Sequence, residues 1–154
     1  MPRNPLNTAV PEAYRTLIAL GEQADAAALA AGVDPLILEL VRLRASQLNG
    51  CAYCMRTHTR DALAKGETTD RISVLPAWRE TSYFGPAERA ALAIAEEITD
   101  IAVRPAGGDA AVSGDAVPED GALTPAQAAA LRWVAIVINA FNRVAISSHY
   151  VVKP

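Results

Sequence analysis

The sequence predicts an all-α fold, a single-domain helical bundle, on three observations. By count, 32 of the 154 residues are alanine, the strongest helix former. The chain is 51% apolar but only 5% aromatic, so its core is expected to come from Ala, Leu, Ile and Val. No segment shows the apolar–polar alternation of a half-buried strand. A chain of this length fits one domain with a core of useful size.

The helices are expected in order between punctuated turns. The first spans residues 11–31, with Tyr14, Leu17, Ile18, Leu20 and Leu29 as an imperfect apolar face that stops before Gly32. Asp34-Pro35 is an N-cap followed by proline at the first helical position. It opens a second helix through Leu48, broken by Asn49-Gly50. A third covers 51–65 and ends at Gly66. Thr69-Asp70 is expected to cap a short helix through Leu75, broken near Pro76. A fifth starts at Gly85-Pro86-Ala87-Glu88 and carries Leu92, Ile94, Ile98 and Ile101 to about Val103. Residues 104–123 hold Pro105, Gly107, Gly108, Gly114, Pro118 and Gly121 and read as an exposed loop. The acids Asp115, Glu119 and Asp120 within it read as a solvated surface. Thr124-Pro125-Ala126-Gln127 matches a capping box. The last helix then runs to Ser147, apolar on nearly every face, and must be central or lie in a subunit interface.

Composition also excludes function classes. The net charge is −3 with no basic cluster, which argues against nucleic acid as a partner. Met1-Pro2-Arg3-Asn4-Pro5 has no apolar segment behind it and is not expected to be a secretory signal. The apolar stretch 133–146 is interrupted by Asn139, Asn142 and Arg143, too soon for a membrane span. The expected location is therefore cytoplasmic. In a reducing cytosol a Cys-x-x-Cys pair points to catalysis or metal binding rather than a structural staple.

Cys51 and Cys54, the only cysteines, fall three residues apart, and His58 follows one turn later. At i, i+3 and i+7 the three are expected on one face of the third helix. If Asn49-Gly50 closes an antiparallel hairpin, Glu39 and His58 come to levels that differ by roughly 3 Å at the helical rise. Cys54 lies on the turn side of His58. The spacing permits a relay from Glu39 to His58 to Cys54. In it, an ionised carboxylate raises the basicity of an imidazole, which draws a proton from a thiol. Glu39 sits among Leu36, Ile37, Leu38, Leu40 and Val41, where a carboxylate needs a partner. Two other readings of the cysteines stand beside this one. They fit buried apolar residues at an accidental spacing, or zinc ligands together with His58 and Glu39. A helix-borne pair with one imidazole and a remote carboxylate is a weak structural zinc set, and no strand precedes Cys51 as a thioredoxin motif requires. No cofactor or resident metal is expected.

The remaining candidates carry less chemistry. Trp78, Tyr83 and Phe84 fit core packing better than the lining of a pocket beside the cysteines. His149 is expected to be exposed near the end of the chain. Asn139, Asn142 and Arg143 are expected to satisfy buried polar groups in the core or at an interface.

The run Leu40-Val41-Arg42-Leu43-Arg44-Ala45-Ser46-Gln47-Leu48-Asn49-Gly50-Cys51-Ala52-Tyr53-Cys54, with His58 following, resembles the AhpD-like alkylhydroperoxidase branch of the carboxymuconolactone decarboxylase family. The resemblance continues through Trp78-Arg79-Glu80, through residues 84–92 and through residues 138–143, and covers 11–104 and 124–147. It implies an all-helical fold assembled as a homo-trimer or homo-hexamer. It also implies reduction of a small hydroperoxide, with Cys54 oxidised, Cys51 resolving it as a disulfide, Glu39 and His58 relaying the proton, and an external dithiol restoring the pair. Position alone leaves the attacking thiol open, since the helix dipole favours Cys51 and contact with His58 favours Cys54; the resemblance assigns Cys54. The chain departs from the founding type in having Tyr53, not histidine, immediately before the second cysteine. Its 104–123 segment also lacks the helical pattern expected of close relatives. Other readings are a redox-sensing or metal-stabilised module without catalysis, and decarboxylation of a small keto acid or lactone as in cysteine-free relatives, against which the cysteine pair argues.

Overall fold

The computed structural model describes residues 4–103 and 121–154. Among these residues the regular structure is entirely helical: α1 (Leu6–Ala9), α2 (Pro11–Ala30), α3 (Pro35–Asn49), α4 (Ala52–Ala64), α5 (Thr69–Val74), α6 (Pro86–Thr99) and α7 (Pro125–Ser147), with 3₁₀ segments at Leu75–Glu80 and Ile101–Val103. The expected loop at 104–123 lies outside the described residues except for its last three positions.

Helix starts follow the local chemistry. Asp34 accepts from the Leu36 N–H at 2.8 Å ahead of Pro35, and Thr124 and Gln127 exchange reciprocal capping bonds at 3.2 and 2.9 Å. Gly85 opens α6, where the Glu88 carboxylate accepts from the Gly85 N–H at 2.7 Å. Three expectations need correction. The cap of α5 is Thr68, whose hydroxyl accepts from Arg71 N–H, so Thr69 and Asp70 already lie inside the helix. α6 ends at Thr99 and the chain tightens to 3₁₀ geometry beyond Asp100. A one-turn helix, α1, precedes Pro11, held by the Leu6 N–H donating to Ser148 Oγ at 3.0 Å.

α3 is the centre of the bundle, packing on α4, α6 and α7, while α2 and α6 also lie along α7. One core cluster is built on small residues: Ala24 and Ala28 of α2, Ala91 and Ala95 of α6, and Ala130 and Ala135 of α7 surround Val41, Leu131 and Val134. Alanines at these contacts let helix backbones approach closely, which is how a chain poor in aromatics reaches interior density. A second cluster joins Leu40, Leu43 and Leu92 to Leu75, Trp78 and Phe84. Trp78 and Phe84 therefore pack the core. Glu96 anchors this side, accepting from Arg44 Nε at 2.8 Å, from Trp78 Nε1 at 2.9 Å and from Arg79. Burial opposes ionisation of Glu96, but these donors outweigh it and hold its pKa below the usual value.

α7 is long and apolar enough to cross a membrane by length and composition, yet half of its apolar window is buried inside the protein. Its buried face carries Asn139 and Asn142. Asn49 Nδ2 donates to both their side-chain oxygens at 2.8 and 2.9 Å, and Asn142 Nδ2 donates to Ser46 Oγ at 3.0 Å. Arg143 is exposed and donates to Asn139 O and Oδ1. The expected polar cluster thus links the turn after α3 to α7.

Candidate active site

The turn between α3 and α4 sets the site. Gly50 takes φ 68°, the left-handed region that costs glycine least. The Cys51 N–H reaches back to Ser46 O at 3.0 Å, closing the hairpin. Cys51 is consequently not on a helical face as the spacing predicted. It is the extended N-cap of α4, and its sulfur accepts from the Cys54 N–H at 3.3 Å. Cys51 and Cys54 are paired as a disulfide with Cα atoms 5.3 Å apart. Both are buried against Ala145 of α7, with Tyr150 packed on them.

The hairpin also brings Glu39 and His58 together, as the level arithmetic anticipated. His58 Nδ1 lies 3.0 Å from Glu39 Oε2, and the other carboxylate oxygen accepts from Arg42 Nη1 and Lys65 Nζ, each at 3.0 Å. Burial raises the pKa of Glu39, but the His58 bond and the charges of Arg42 and Lys65 outweigh it and lower the value to about 2. An ionised carboxylate can only accept, so Nδ1 carries the imidazole proton and Nε2 is left as a base. Arg42 is held in turn by Asp25 of α2. Among the described residues, a potential metal-ligating group is Glu39, His58 and Asp61. Neither cysteine belongs to it, and Glu39 is already shared by two cations. The zinc set weighed from the sequence is therefore not assembled here.

A cavity of about 260 Å³ opens beside the disulfide, lined by Tyr14, Tyr53, Cys54, Thr57, His58 and Tyr150 together with Ile138, Phe141, Val144 and Ala145 of α7. Cys54 lines it and Cys51 does not. Its walls are aromatic and aliphatic, with Tyr14 edge-on to Phe141 at 6.1 Å and Tyr53 edge-on to Tyr150 at 5.1 Å. Trp78, Tyr83 and Phe84 are not among its lining residues. Reading the sequence missed Arg42, Lys65, Tyr14, Phe141 and Tyr150. Arg42, at i+3 from Glu39, carried a local signal; the tyrosines come from opposite ends of the chain and carried none.

Residues 11–97 match the model of the carboxymuconolactone decarboxylase family. Over 61 residues the chain is 51% identical to the uncharacterized protein YdfG of Bacillus subtilis, a match covering 40% of this chain and 42% of that protein. The crystal structure of an Agrobacterium tumefaciens protein of unknown function, described there as a candidate antioxidant defence protein AhpD, superposes with a TM-score of 0.81 at 25% identity. That likeness spans all of this chain and 99% of that one. With its all-helical bundle and its Cys-x-x-Cys pair, the chain belongs to the carboxymuconolactone decarboxylase family, in its AhpD-like branch.

Proposed function

We propose that this protein is a thiol-dependent alkyl hydroperoxide reductase. The observation that carries the reading is that Cys54, and not Cys51, shares the apolar cavity with His58, whose other ring nitrogen is bonded to the ionised Glu39. With the pair reduced, His58 Nε2 takes the Cys54 proton. The thiolate then attacks the distal oxygen of a hydroperoxide, the S–O bond forming as the O–O bond breaks. Cys54 becomes a sulfenic acid and the substrate leaves as the alcohol. The Cys51 thiol condenses with the sulfenic acid, releasing water and giving the disulfide. An external dithiol then takes up the oxidising equivalent by exchange. The cavity's size and lining suit a small organic hydroperoxide.

The same reading treats the whole chain as one catalytic domain, working as a homo-trimer or homo-hexamer in a cytoplasmic setting where dithiols are available. The test is peroxide consumption by the reduced protein, followed with several dithiol reductants. Catalytic turnover with at least one of them, lost in Cys54→Ser, is expected. Free-thiol counts unchanged by excess peroxide would end the redox reading.

A further inference from the structure

Tyr150 stands over the cysteines because of how α7 ends. Ser148 closes the helix and His149 takes φ 54°, a left-handed conformation uncommon outside glycine. The His149 N–H then bonds Ile146 O and the Tyr150 N–H bonds Ala145 O, each at 3.1 Å. This is the paired-bond helix stop that reverses the chain onto the preceding turn. The reversal lays the Tyr150 ring against Cys51, Cys54 and Ala145, edge-on to Tyr53. Ser148 is buried and tied to α1, so both sides of the turn are held.

The Tyr150 hydroxyl oxygen is buried and makes no hydrogen bond of ordinary length among the described residues, although Ser148 and Tyr14 stand near enough to interact with it. Leaving such a group unpaired costs about 1–3 kcal/mol, and tyrosines buried at their polar end normally find a partner. Tyr150 lines the cavity that holds Cys54 and His58, so an occupant of that cavity packs against its ring. Burial, with Tyr14 and Tyr53 close by, raises the Tyr150 pKa. At neutral pH the group is therefore a phenol with a proton to give.

We propose that the Tyr150 hydroxyl is the proton donor to the leaving oxygen of the hydroperoxide bound in this cavity. The inference rests on the peroxidase reading above and adds the group that discharges the alkoxide. As the Cys54 thiolate forms its bond to the distal oxygen, the O–O bond breaks and its electron pair stays on the alkyl-bearing oxygen. Sulfur is oxidised to the sulfenic acid and the peroxide is reduced. The Tyr150 proton passes to the departing oxygen, giving the alcohol. The phenolate recovers a proton from the His58 imidazolium, which holds the one taken from Cys54. The sum is one thiol and one hydroperoxide converted to one sulfenic acid and one alcohol, with no proton gained or lost. His58 is thereby charged with one proton task at the thiol, and Tyr150 with the other at the far end of the peroxide.

The test uses leaving groups. Cumene hydroperoxide expels an alkoxide, which needs a proton as it leaves; peroxybenzoic acid expels a stable carboxylate, which does not. Both carry a phenyl ring for the same cavity. The reduced protein and its Tyr150→Phe variant are mixed with each peroxide, and the rate of Cys54 oxidation is measured. The variant keeps the ring that packs on the cysteines and lacks only the hydroxyl. Its rate with cumene hydroperoxide is expected to fall by about 100-fold or more, while its rate with peroxybenzoic acid stays within about threefold, since general-acid assistance of this size acts only where the leaving group needs it. The retained peracid reaction also shows that the variant is folded with its thiolate intact. Equal losses with both peroxides would make Tyr150 a packing residue and overturn the proposal, as would no loss with either. A wild type that oxidises Cys54 with the peracid alone would overturn the donor and leave the thiol chemistry standing. A wild type inert to both would overturn the peroxidase reading itself.

Discussion

Glu39 Oε2 meets His58 Nδ1 at 3.0 Å while Glu39 Oε1 holds Arg42 and Lys65 at the same distance. One buried carboxylate thus serves as counter-ion to two cations and orients an imidazole. Glu39→Gln removes the charge and keeps the shape. The apparent pKa of the reactive thiol, read from the pH dependence of alkylation, is expected to rise. The reaction with peroxide at neutral pH is expected to slow by about 100- to 10,000-fold. His58→Ala should do the same, and the double variant should be little worse than the worse single one, because the residues act as a unit. Multiplicative losses would show two independent contributions. An unchanged thiol pKa would leave activation to the helix dipole and move the nucleophile to Cys51.

The same carboxylate sets an acid limit on the fold. Its pKa is lowered from 4.5 to about 2, so the folded state binds the ionised form more tightly than the unfolded chain does. That contribution is fully present above the unfolded value and is lost as the pH falls through the folded one. By linkage it amounts to about 3 kcal/mol. Glu96, also lowered, shares the window. Urea midpoints measured between about pH 5 and pH 2 should therefore decline steeply in the wild type and less steeply in Glu39→Gln. Parallel slopes would mean that Glu39 is not ionised in the fold.

Local signals in the sequence carried the helix starts, because a cap and a proline act within one turn: Asp34-Pro35, Gly85-Pro86 and Thr124-Pro125 all open helices. The Glu39–His58 pairing was legible for a related reason. Both residues lie close to one sharp turn, so helical rise alone sets their levels. Cys51 defeated the same arithmetic, since a residue that caps a helix does not share its faces. The cavity was not legible. Tyr14 lies near one end of the chain and Tyr150 near the other, and they meet only through the packing of α2 on α7 and the reversal at His149. No spacing rule reaches across such distances.

Asn142 tests the polar link between the α3–α4 turn and α7. It is fully buried, accepts from Asn49 and donates to Ser46. Asn142→Ala removes one bond from each partner, leaving Asn49 on Asn139 and Ser46 on Arg42 O, and opens space, with an expected loss of about 1–3 kcal/mol in chemical denaturation. A loss within error would mean that Asn49 and Ser46 find replacements, and that the turn beneath the cysteines does not depend on α7.

Assembly can be tested on the outer face of α7. Trp133 is 51% exposed, and Ile136 and Ile146 are exposed on the same helix. At about 100° per residue the three fall within an outward arc of about 140°, and exposed apolar side chains there are the kind of surface that a subunit covers. Light scattering is expected to give three or six times the 16.2 kDa chain mass. Trp133→Glu, at a position the monomer does not bury, should lower that mass while leaving the helical signal intact. A monomer at micromolar concentration would contradict the expectation directly.

The division of labour between the cysteines gives the sharpest outcome. Cys54 lines the cavity with His58, whereas Cys51 is 1% exposed and caps α4 behind it. Serine is a strong helix cap, so Cys51→Ser should preserve α4 and remove only the resolving thiol. In the reduced wild type, peroxide should close the disulfide and lower the intact mass by about 2 Da, the two hydrogens lost. Cys51→Ser should still react once, stopping at a sulfenic acid that a carbon nucleophile traps on Cys54. Cys54→Ser should not react at a comparable rate, because its remaining thiol lies outside the cavity and away from the base. If instead Cys54→Ser forms the trapped adduct and Cys51→Ser is inert, the attacking residue is Cys51. The N-terminus of α4, rather than the Glu39–His58 pair, would then be what makes the thiolate.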